Sequence, residues 1–125
     1  MNIPDFKGKK ILVVEDDPVS MELLNELLIQ TNANIIFADN GKSAIELFSE
    51  NTDTNLILMD IQLPILSGTD AMKQIKELKP DVTVIAQTAF AMSSDRKKYL
   101  TSGFDDYLSK PVLPDNLYNL LSNYL

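Results

Sequence analysis

The stretch LILMDIQLPILSG, residues 56–68, decides the fold of this chain, because its first four residues are all apolar and run directly into Asp60. An apolar run this short is typical of a strand buried on both faces of a parallel sheet, whereas a helix needs a longer pattern. The last residue of such a strand lies at the carboxyl edge of the sheet, where ligands bind in open α/β folds. Asp60 is therefore a candidate for chemistry, and Pro64 and Gly68 indicate a turn behind it.

The same pattern of an apolar run followed by polar residues and a helical repeat occurs on both sides of this stretch, which predicts five strands and five helices. The predicted strands span residues 11–14, 35–38, 56–60, 82–86 and 107–108. The predicted inward faces of the first, second, third and fifth helices comprise Leu23, Leu24, Leu27 and Leu28; Ala44, Leu47 and Phe48; Ala71, Met72, Ile75 and Leu78; and Leu117, Leu120, Leu121 and Tyr124. Pro18 suits the first turn of the first helix, which Asp17 can cap. The fourth helix, over residues 93–102, has a weak apolar face and ends at Gly103.

Strands that alternate with helices predict an α/β fold, because right-handed crossovers cover both faces of a parallel sheet. We expect a single doubly wound (βα)5 domain of the flavodoxin-like type over residues 1–125, with strand order 2-1-3-4-5. This order makes the first and third strands neighbours, so that their carboxyl ends meet at one edge.

The predicted strand order brings Glu15 and Asp16 beside Asp60, with Thr88 and Lys110 supplied by the next strands along the same edge. Two carboxylates about 5 Å apart repel each other by roughly 3 kcal/mol at an effective dielectric constant of about 20, so the cluster needs a compensating cation. Mg²⁺ suits a site with one or two carboxylates, a carbonyl oxygen and retained waters. Acids after a strand also occur simply at helix N-termini, where they complement the helix dipole. The carboxylate on a neighbouring strand favours the metal site over that simpler interpretation.

The composition of the 125-residue chain excludes several classes of function. A net charge of -7, with no dense run of Lys and Arg, argues against nucleic acid or an anionic membrane as a direct partner. The lack of cysteine and histidine removes disulfides, thiolate chemistry and the commonest general base. No apolar run has the length of a signal-peptide core or a membrane span, which predicts a cytoplasmic protein.

Several separated motifs together resemble a known family. They are VVEDD at residues 13–17, LMDIQLP at residues 58–64 with Gly68 behind it, Thr88-Ala89 after a strand, and DYLSKP at residues 106–111. In order and spacing they are similar to the receiver domain of two-component response regulators, and the resemblance covers essentially the whole chain. The later motifs also resemble receivers of hybrid sensor histidine kinases, although Gln87, Phe90 and Phe104 replace residues common in that subgroup.

The resemblance implies a metal-dependent phosphoacceptor site. Asp60 would be the phosphoacceptor, and a phosphohistidine on a histidine kinase or histidine phosphotransfer domain would be the donor. The Mg²⁺ ligands would be Asp60, Asp16 directly, Glu15 largely through water, and the backbone carbonyl of Gln62, with Mn²⁺ as a substitute metal. Gln62 and Phe90 would set the lifetime of the acyl phosphate, because both flank the path of the attacking water.

The resemblance also implies a conformational readout. Lys110, joined to Pro111 by a cis peptide bond, would pair with the phosphoryl oxygens, and Thr88 would hydrogen-bond the phosphoryl group in the active state. Tyr107 would change rotamer with it. The output would act on a downstream effector or output domain through the fourth helix, fifth strand and fifth helix, a face predicted to carry Tyr99, Tyr107 and Tyr118. The chain would then be a signalling module and not an enzyme, catalysing only its own phosphorylation and slow dephosphorylation.

Three alternatives use the same residues differently. An aspartate-nucleophile phosphatase would place a second acid two residues after Asp60, where this chain has Gln62. A flavodoxin-like cofactor binder would need a hydroxyl- and glycine-rich phosphate loop after the first strand, where Glu15 and Asp16 would repel a phosphate. A degenerate receiver would only bind partners, but every acceptor-site position is filled here.

Overall fold

The computed structural model of the protein describes residues 2–89 and 93–125, except for the side chains of residues 93–95. Within these ranges five strands and five helices alternate, as the sequence predicts. In chain order they are β1 (Lys10–Val14), α1 (Pro18–Ile29), β2 (Asn34–Ala38), α2 (Gly41–Glu50), β3 (Leu56–Asp60), α3 (Gly68–Leu78), β4 (Thr83–Thr88), α4 (Ser93–Ser102), β5 (Asp106–Ser109) and α5 (Pro114–Ser122). None of these helices is long and apolar enough to cross a membrane.

The strands form one parallel sheet in the predicted order β2-β1-β3-β4-β5. The central strand β3 is buried along its whole length, because helices cover both faces of the sheet. Val14 of β1 lies opposite Met59 of β3, and Asp60 lies opposite Gln87 of β4. The register therefore brings the carboxyl ends of β1, β3 and β4 together at one edge.

Side-chain alternation divides the core into two layers, one on each face of the sheet. Met59 of β3 packs with residues of α2 and α3, whereas Leu58 packs with residues of α1 and α5. In β4, Ile85 belongs to the layer of α1 and α5. Gln87, two residues later in the same strand, therefore faces α1 and α5 as well.

Two element boundaries bear on the site. Strand β4 extends to Thr88, two residues beyond its predicted end, because Gln87 and Thr88 still pair with Leu108 and Ser109 of β5. Helix α1 begins as predicted, and the side chain of Asp17 accepts a hydrogen bond from the backbone nitrogen of Val19 at its N-terminus. The threonine at the sheet edge is thus held within a strand and not within a loop.

Four side chains lie where the sequence does not predict them. Leu23, Leu78 and Tyr124 have predicted inward positions but are 39%, 54% and 38% exposed. Leu78 is the last residue of α3, and Tyr124 follows the end of α5, where its hydroxyl donates a hydrogen bond to Asp106 Oδ2 at 2.9 Å. Tyr118, predicted on the output face, is buried, and its hydroxyl donates a hydrogen bond to the carbonyl oxygen of Leu27 at 2.7 Å.

Candidate functional site

A pocket of about 220 Å³ opens at the sheet edge where the predicted site residues converge. It is lined by Glu15, Asp16, Asp17, Asp60, Gln62, Thr88, Ala89 and Lys110. The loops after β1, β3, β4 and β5 each contribute to it, as expected for the carboxyl edge of an open parallel sheet. The side chains that the sequence predicts at this edge therefore line one pocket in the structure. They are Glu15, Asp16, Asp60, Thr88 and Lys110.

Three carboxylates form the centre of the pocket. Glu15 and Asp60 are buried and Asp16 is exposed, and one oxygen of each lies within 4.8 Å of the others. An all-oxygen donor set with one solvent-facing member fits a hard divalent cation that keeps some of its waters. The residues present therefore fit Mg²⁺, and the described residues offer this group no histidine or cysteine ligand that would favour a softer metal.

Lys110 supplies the positive charge that faces these acids. Its Nζ atom lies 2.9 Å from Glu15 Oε2 and 2.9 Å from Asp60 Oδ2. Its backbone nitrogen donates to the carbonyl oxygen of Thr88 at 2.9 Å, and its peptide bond to Pro111 is cis. The lysine is thus fixed to β4 through its backbone while its side chain spans two buried carboxylates.

One backbone and one side-chain hydrogen bond fix the orientation of the Asp60 carboxylate. The backbone nitrogen of Gln62 donates to Asp60 Oδ1 at 3.0 Å, while Oδ2 accepts from Lys110. The next residue, Ile61, donates its backbone N–H to the carbonyl oxygen of Gln87 at 3.1 Å. Because both oxygens have defined partners, the carboxylate is pre-oriented toward the pocket.

The electrostatics of Glu15 follow from its burial. Removal from water raises the pKa of Glu15 from 4.5 to about 7, and the neighbouring carboxylate of Asp60 acts in the same direction. The hydrogen bond from Lys110 opposes the increase without cancelling it. For Lys110 itself, burial acts to lower the pKa, but hydrogen bonds to Asp60 and Glu15 outweigh it and raise the pKa above 10.5.

We expect the stability of the metal-free chain, relative to a Glu15→Gln variant, to decrease as the pH rises from 4.5 to about 7. Over this window the folded chain retains a proton on Glu15 that the unfolded chain has released, so raising the pH favours unfolding. The shift corresponds to on the order of 3 kcal/mol. Urea unfolding of both proteins across the window, in the presence of a chelator, measures the difference. A constant difference would contradict the prediction.

Tyr107, which has a predicted role, is not among the described residues that line this pocket. Tyr107 lies on β5 opposite Ala86, with its ring half buried and the guanidinium carbon of Arg96 5.1 Å from the ring centroid. Phe90 lies outside the described residues. Strand β4 therefore separates Tyr107 from Asp60, and the ring of Tyr107 contacts α4.

Gly68 allows the start of α3 to approach the backbone of Asp60 closely. Its backbone nitrogen donates to the carbonyl oxygen of Ile61 at 3.0 Å, and a Cβ atom at this position would overlap the carbonyl oxygen of Asp60. The first turn of α3 therefore packs directly on the backbone of the candidate phosphoacceptor. Sequence spacing after Pro64 indicates a turn here but gives no sign of this close approach.

Comparison with known proteins places this site in a family. The model of the response regulator receiver domain matches residues 11–122. Among curated relatives, the hybrid signal transduction histidine kinase I of Dictyostelium discoideum is 38% identical over 125 residues, an alignment that covers 94% of this chain. The chain spans only 7% of the length of that relative.

Two solved structures combine a similar fold with an informative occupant. One is the receiver domain of the sensor histidine kinase PA1611 from Pseudomonas aeruginosa PAO1, which was solved with a magnesium ion in its active site cleft. It is 33% identical to this chain with a TM-score of 0.84, and the match covers 94% of this chain and 97% of that one. The other is the receiver domain of Ssk1 from Saccharomyces cerevisiae, which was solved with the histidine phosphotransfer protein Ypd1. It is 31% identical to this chain with a TM-score of 0.87, and the match covers 99% of this chain and 91% of that one.

Proposed function

The chain belongs to the family of response regulator receiver domains, which act in two-component and phosphorelay signalling, and we propose that Asp60 is the residue on which it accepts a phosphoryl group. The observation that carries this proposal is the position of the Asp60 carboxylate. It ends a fully buried strand, faces the pocket, and is held by Lys110 and by the backbone of Gln62 beside two further acids. Among the described residues, no other carboxylate combines these features.

We propose that Mg²⁺, which receiver domains bind at an acidic pocket, is held by Asp16, Asp60 and the backbone carbonyl of Gln62, with Glu15 acting largely through water. The similar receiver of PA1611 carries magnesium in its active site cleft, which supports this assignment. Asp16 is exposed and would hold the cation from the solvent-facing side of the pocket. When bound, the cation neutralises charge on the transferring oxygens, and Mn²⁺ can take its place.

The chemistry of this chain's own residues is a displacement at phosphorus. An oxygen of the Asp60 carboxylate attacks the phosphorus of a phosphohistidine in line with the leaving nitrogen; the O–P bond forms as the P–N bond breaks, and the histidine ring leaves with the bonding pair. Lys110 is already positioned at 2.9 Å from Asp60 and stabilises the charge on the equatorial oxygens. Thr88, at the end of β4, donates its hydroxyl to the bound phosphoryl group.

The phosphodonor and the compartment follow from the same assignment. We propose a histidine kinase or a histidine phosphotransfer domain as donor, since the similar receiver of Ssk1 is seen in complex with a histidine phosphotransfer protein. We place the transfer in the cytoplasm, where the ATP that phosphorylates such kinases is available. The receiver family is a phosphoacceptor and not a classical enzyme, so we assign no turnover substrate beyond slow hydrolysis of its own acyl phosphate.

The direct test of the function is phosphorylation of the chain by a small-molecule donor such as acetyl phosphate. With Mg²⁺ present, intact mass spectrometry should show the gain of a single phosphoryl group. Addition of a chelator before the donor should prevent it. Labelling that is complete without divalent metal, or the absence of labelling with it, would exclude the proposed site. The phosphatase alternative would instead consume the donor continuously without retaining the label.

We expect Gln62 and Phe90 to set the lifetime of the phosphorylated state. The exposed side chain of Gln62 lines the pocket through which a hydrolytic water must approach, whereas an apolar ring at Phe90 cannot orient that water. Replacing Phe90 or Gln62 with a series of polar residues should change the rate of dephosphorylation by several-fold while leaving phosphorylation possible. The decay of the phosphorylated mass after donor removal measures this, with exposed Gln74→Asn as control. Equal lifetimes across the series would reject the assignment.

We expect phosphorylation to be transmitted to the face of α4, β5 and α5, which would contact an effector or output domain. Tyr107 is half buried under Arg96, and Tyr99 and Tyr118 are buried, so Tyr107 is the tyrosine of this face that can change rotamer with least disruption. Inward movement of Thr88 toward the phosphoryl group would make room for it.

Backbone NMR spectra with and without a beryllofluoride phosphoryl mimic test this switch. The shifts should extend from Asp60 through Thr88 into residues 90–110, because contacts present in only one state drive the two-state change. In a Thr88→Ala variant the shifts should stay near β1 and β3. Wild-type shifts confined to the first two strands and helices would contradict the switch while leaving the acceptor assignment intact.

A further inference from the structure

A second, smaller pocket lies beside the acceptor site and shares Lys110 with it. It has a volume of about 110 Å³ and forms where α1 meets the segment after β5. Its walls are mainly apolar, with Leu23 and Leu24 on one side and Val112 on the other. The polar residues that line the pocket are Ser20, Gln87 and Lys110. The roles proposed for the acceptor site do not involve this pocket.

Gln87 brings an unused polar group to this pocket. The residue is completely buried, and within residues 2–89 and 93–125 neither its Nε2 nor its Oε1 atom has a hydrogen-bond partner. It faces α1 and α5, the side on which the pocket lies. A buried amide without partners is strongly unfavourable in a protein interior, so an unpaired donor and an unpaired acceptor on a residue that lines this pocket indicate a group that can satisfy both.

The other polar groups of the pocket are already engaged. The ammonium of Lys110 donates to Glu15 and Asp60, and the hydroxyl of Ser20 donates to Asp17 Oδ2 at 2.9 Å. The pocket therefore presents a neutral amide within an apolar wall and no uncompensated charge. A charged ligand would lose its hydration here without gaining a counter-ion.

We propose that this pocket binds a carboxamide group carried on a short aliphatic body. A carboxamide offers an N–H donor and a carbonyl acceptor side by side, so it can pair with the Gln87 amide through two hydrogen bonds. The pairing is possible in either orientation of the Gln87 amide, because exchanging its oxygen and nitrogen only reverses the pair. A single water needs only about 10–15 Å³ of such a cavity, so a pocket of about 110 Å³ has room for a small amide such as propionamide.

NMR titration of the isotopically labelled chain with propionamide tests the proposal. Saturable shifts should appear at the Gln87 side-chain amide and in residues 19–24 and 110–112. Gln87→Leu, which keeps the volume and removes the amide, should weaken binding by at least about tenfold, because two hydrogen bonds are lost. Exposed Gln74→Leu serves as the matched control and should bind as wild type does. If Gln87→Leu fails to fold, Gln87→Met replaces it.

Two further probes examine the chemistry. Propionate is charged, and N,N-dimethylpropionamide has no N–H donor, so both should bind at least about tenfold more weakly than propionamide. Equal binding of either probe, equal binding to Gln87→Leu, or the absence of saturable shifts with propionamide would overturn the proposal. None of these results depends on phosphorylation of Asp60.

A last pair of probes identifies where the carboxamide comes from. Glutamine blocked as the N-acetyl N-methylamide carries the group as a protein side chain does, and blocked alanine has the same backbone without it. Saturable binding of blocked glutamine but not of blocked alanine assigns the pocket to a side chain of a docked protein. Binding of propionamide alone assigns it to a free small amide. Binding of blocked alanine as tightly as blocked glutamine would overturn recognition of the carboxamide.

Discussion

Asp60→Asn should abolish phosphorylation of the chain by acetyl phosphate while leaving it folded. The substitution keeps an oxygen that can accept the hydrogen bond from the backbone of Gln62, so the loop after β3 retains a partner. It removes the anionic nucleophile, and an amide oxygen is too weak a nucleophile to replace it. It also removes a negative charge beside Glu15, whose pKa should therefore decrease from about 7 toward 4.5.

Intact mass after incubation with donor and Mg²⁺ measures the first effect, and circular dichroism confirms the fold. Asp81→Asn is the matched control, because Asp81 is an exposed aspartate outside the pocket and its replacement should leave labelling unchanged. A persistent gain of one phosphoryl group in Asp60→Asn would move the acceptor to another residue. Loss of labelling in Asp81→Asn would show that the assay reports something other than the site.

The cluster of candidate site residues at the sheet edge could be predicted from sequence because each of them ends or follows a short apolar run. Glu15 and Asp16 follow β1, Asp60 ends β3, and Lys110 follows β5, so the strand order alone brings them together. The type of each side chain indicates its chemistry, because carboxylates suit a cation and a lysine suits an anion. The parallel strand order explains why residues that are distant in sequence meet at one edge of the sheet.

The features that the sequence did not predict depend on packing between distant elements. Gln87 follows an apolar run and therefore resembles a strand end, yet pairing with β5 continues the strand and buries its amide. Tyr118 is predicted on the output face, but it is buried, and the carbonyl oxygen of Leu27 on α1 accepts the hydrogen bond of its hydroxyl. Helical periodicity likewise gives Leu78 an inward direction, yet its side chain is exposed at the end of α3. None of these contacts is encoded within a local window of residues.

Gly68→Ala should destabilise the chain by about 3 kcal/mol or more, at the upper end of what an added core methyl costs. The new Cβ would overlap the carbonyl oxygen of Asp60 and lie 2.9 Å from the Cα atom of Ile61. Both neighbours are backbone atoms at the end of a buried central strand, so they cannot move aside as a flexible side chain can. Relief of the overlap requires α3 to shift away from β3. The same shift would displace the Asp60 carboxylate and reduce the rate of phosphorylation.

Gly8→Ala separates the effect of overlap from that of glycine's backbone freedom. Gly8 has a φ of +85° but nothing within 4 Å of its would-be Cβ, so alanine there meets only the conformational penalty, about 1–2 kcal/mol. Urea unfolding of the two variants should therefore show a larger loss for Gly68→Ala, and only that variant should be phosphorylated more slowly at a temperature where both remain folded. Equal stability losses, or normal phosphorylation of Gly68→Ala, would mean that α3 does not hold the Asp60 backbone in place.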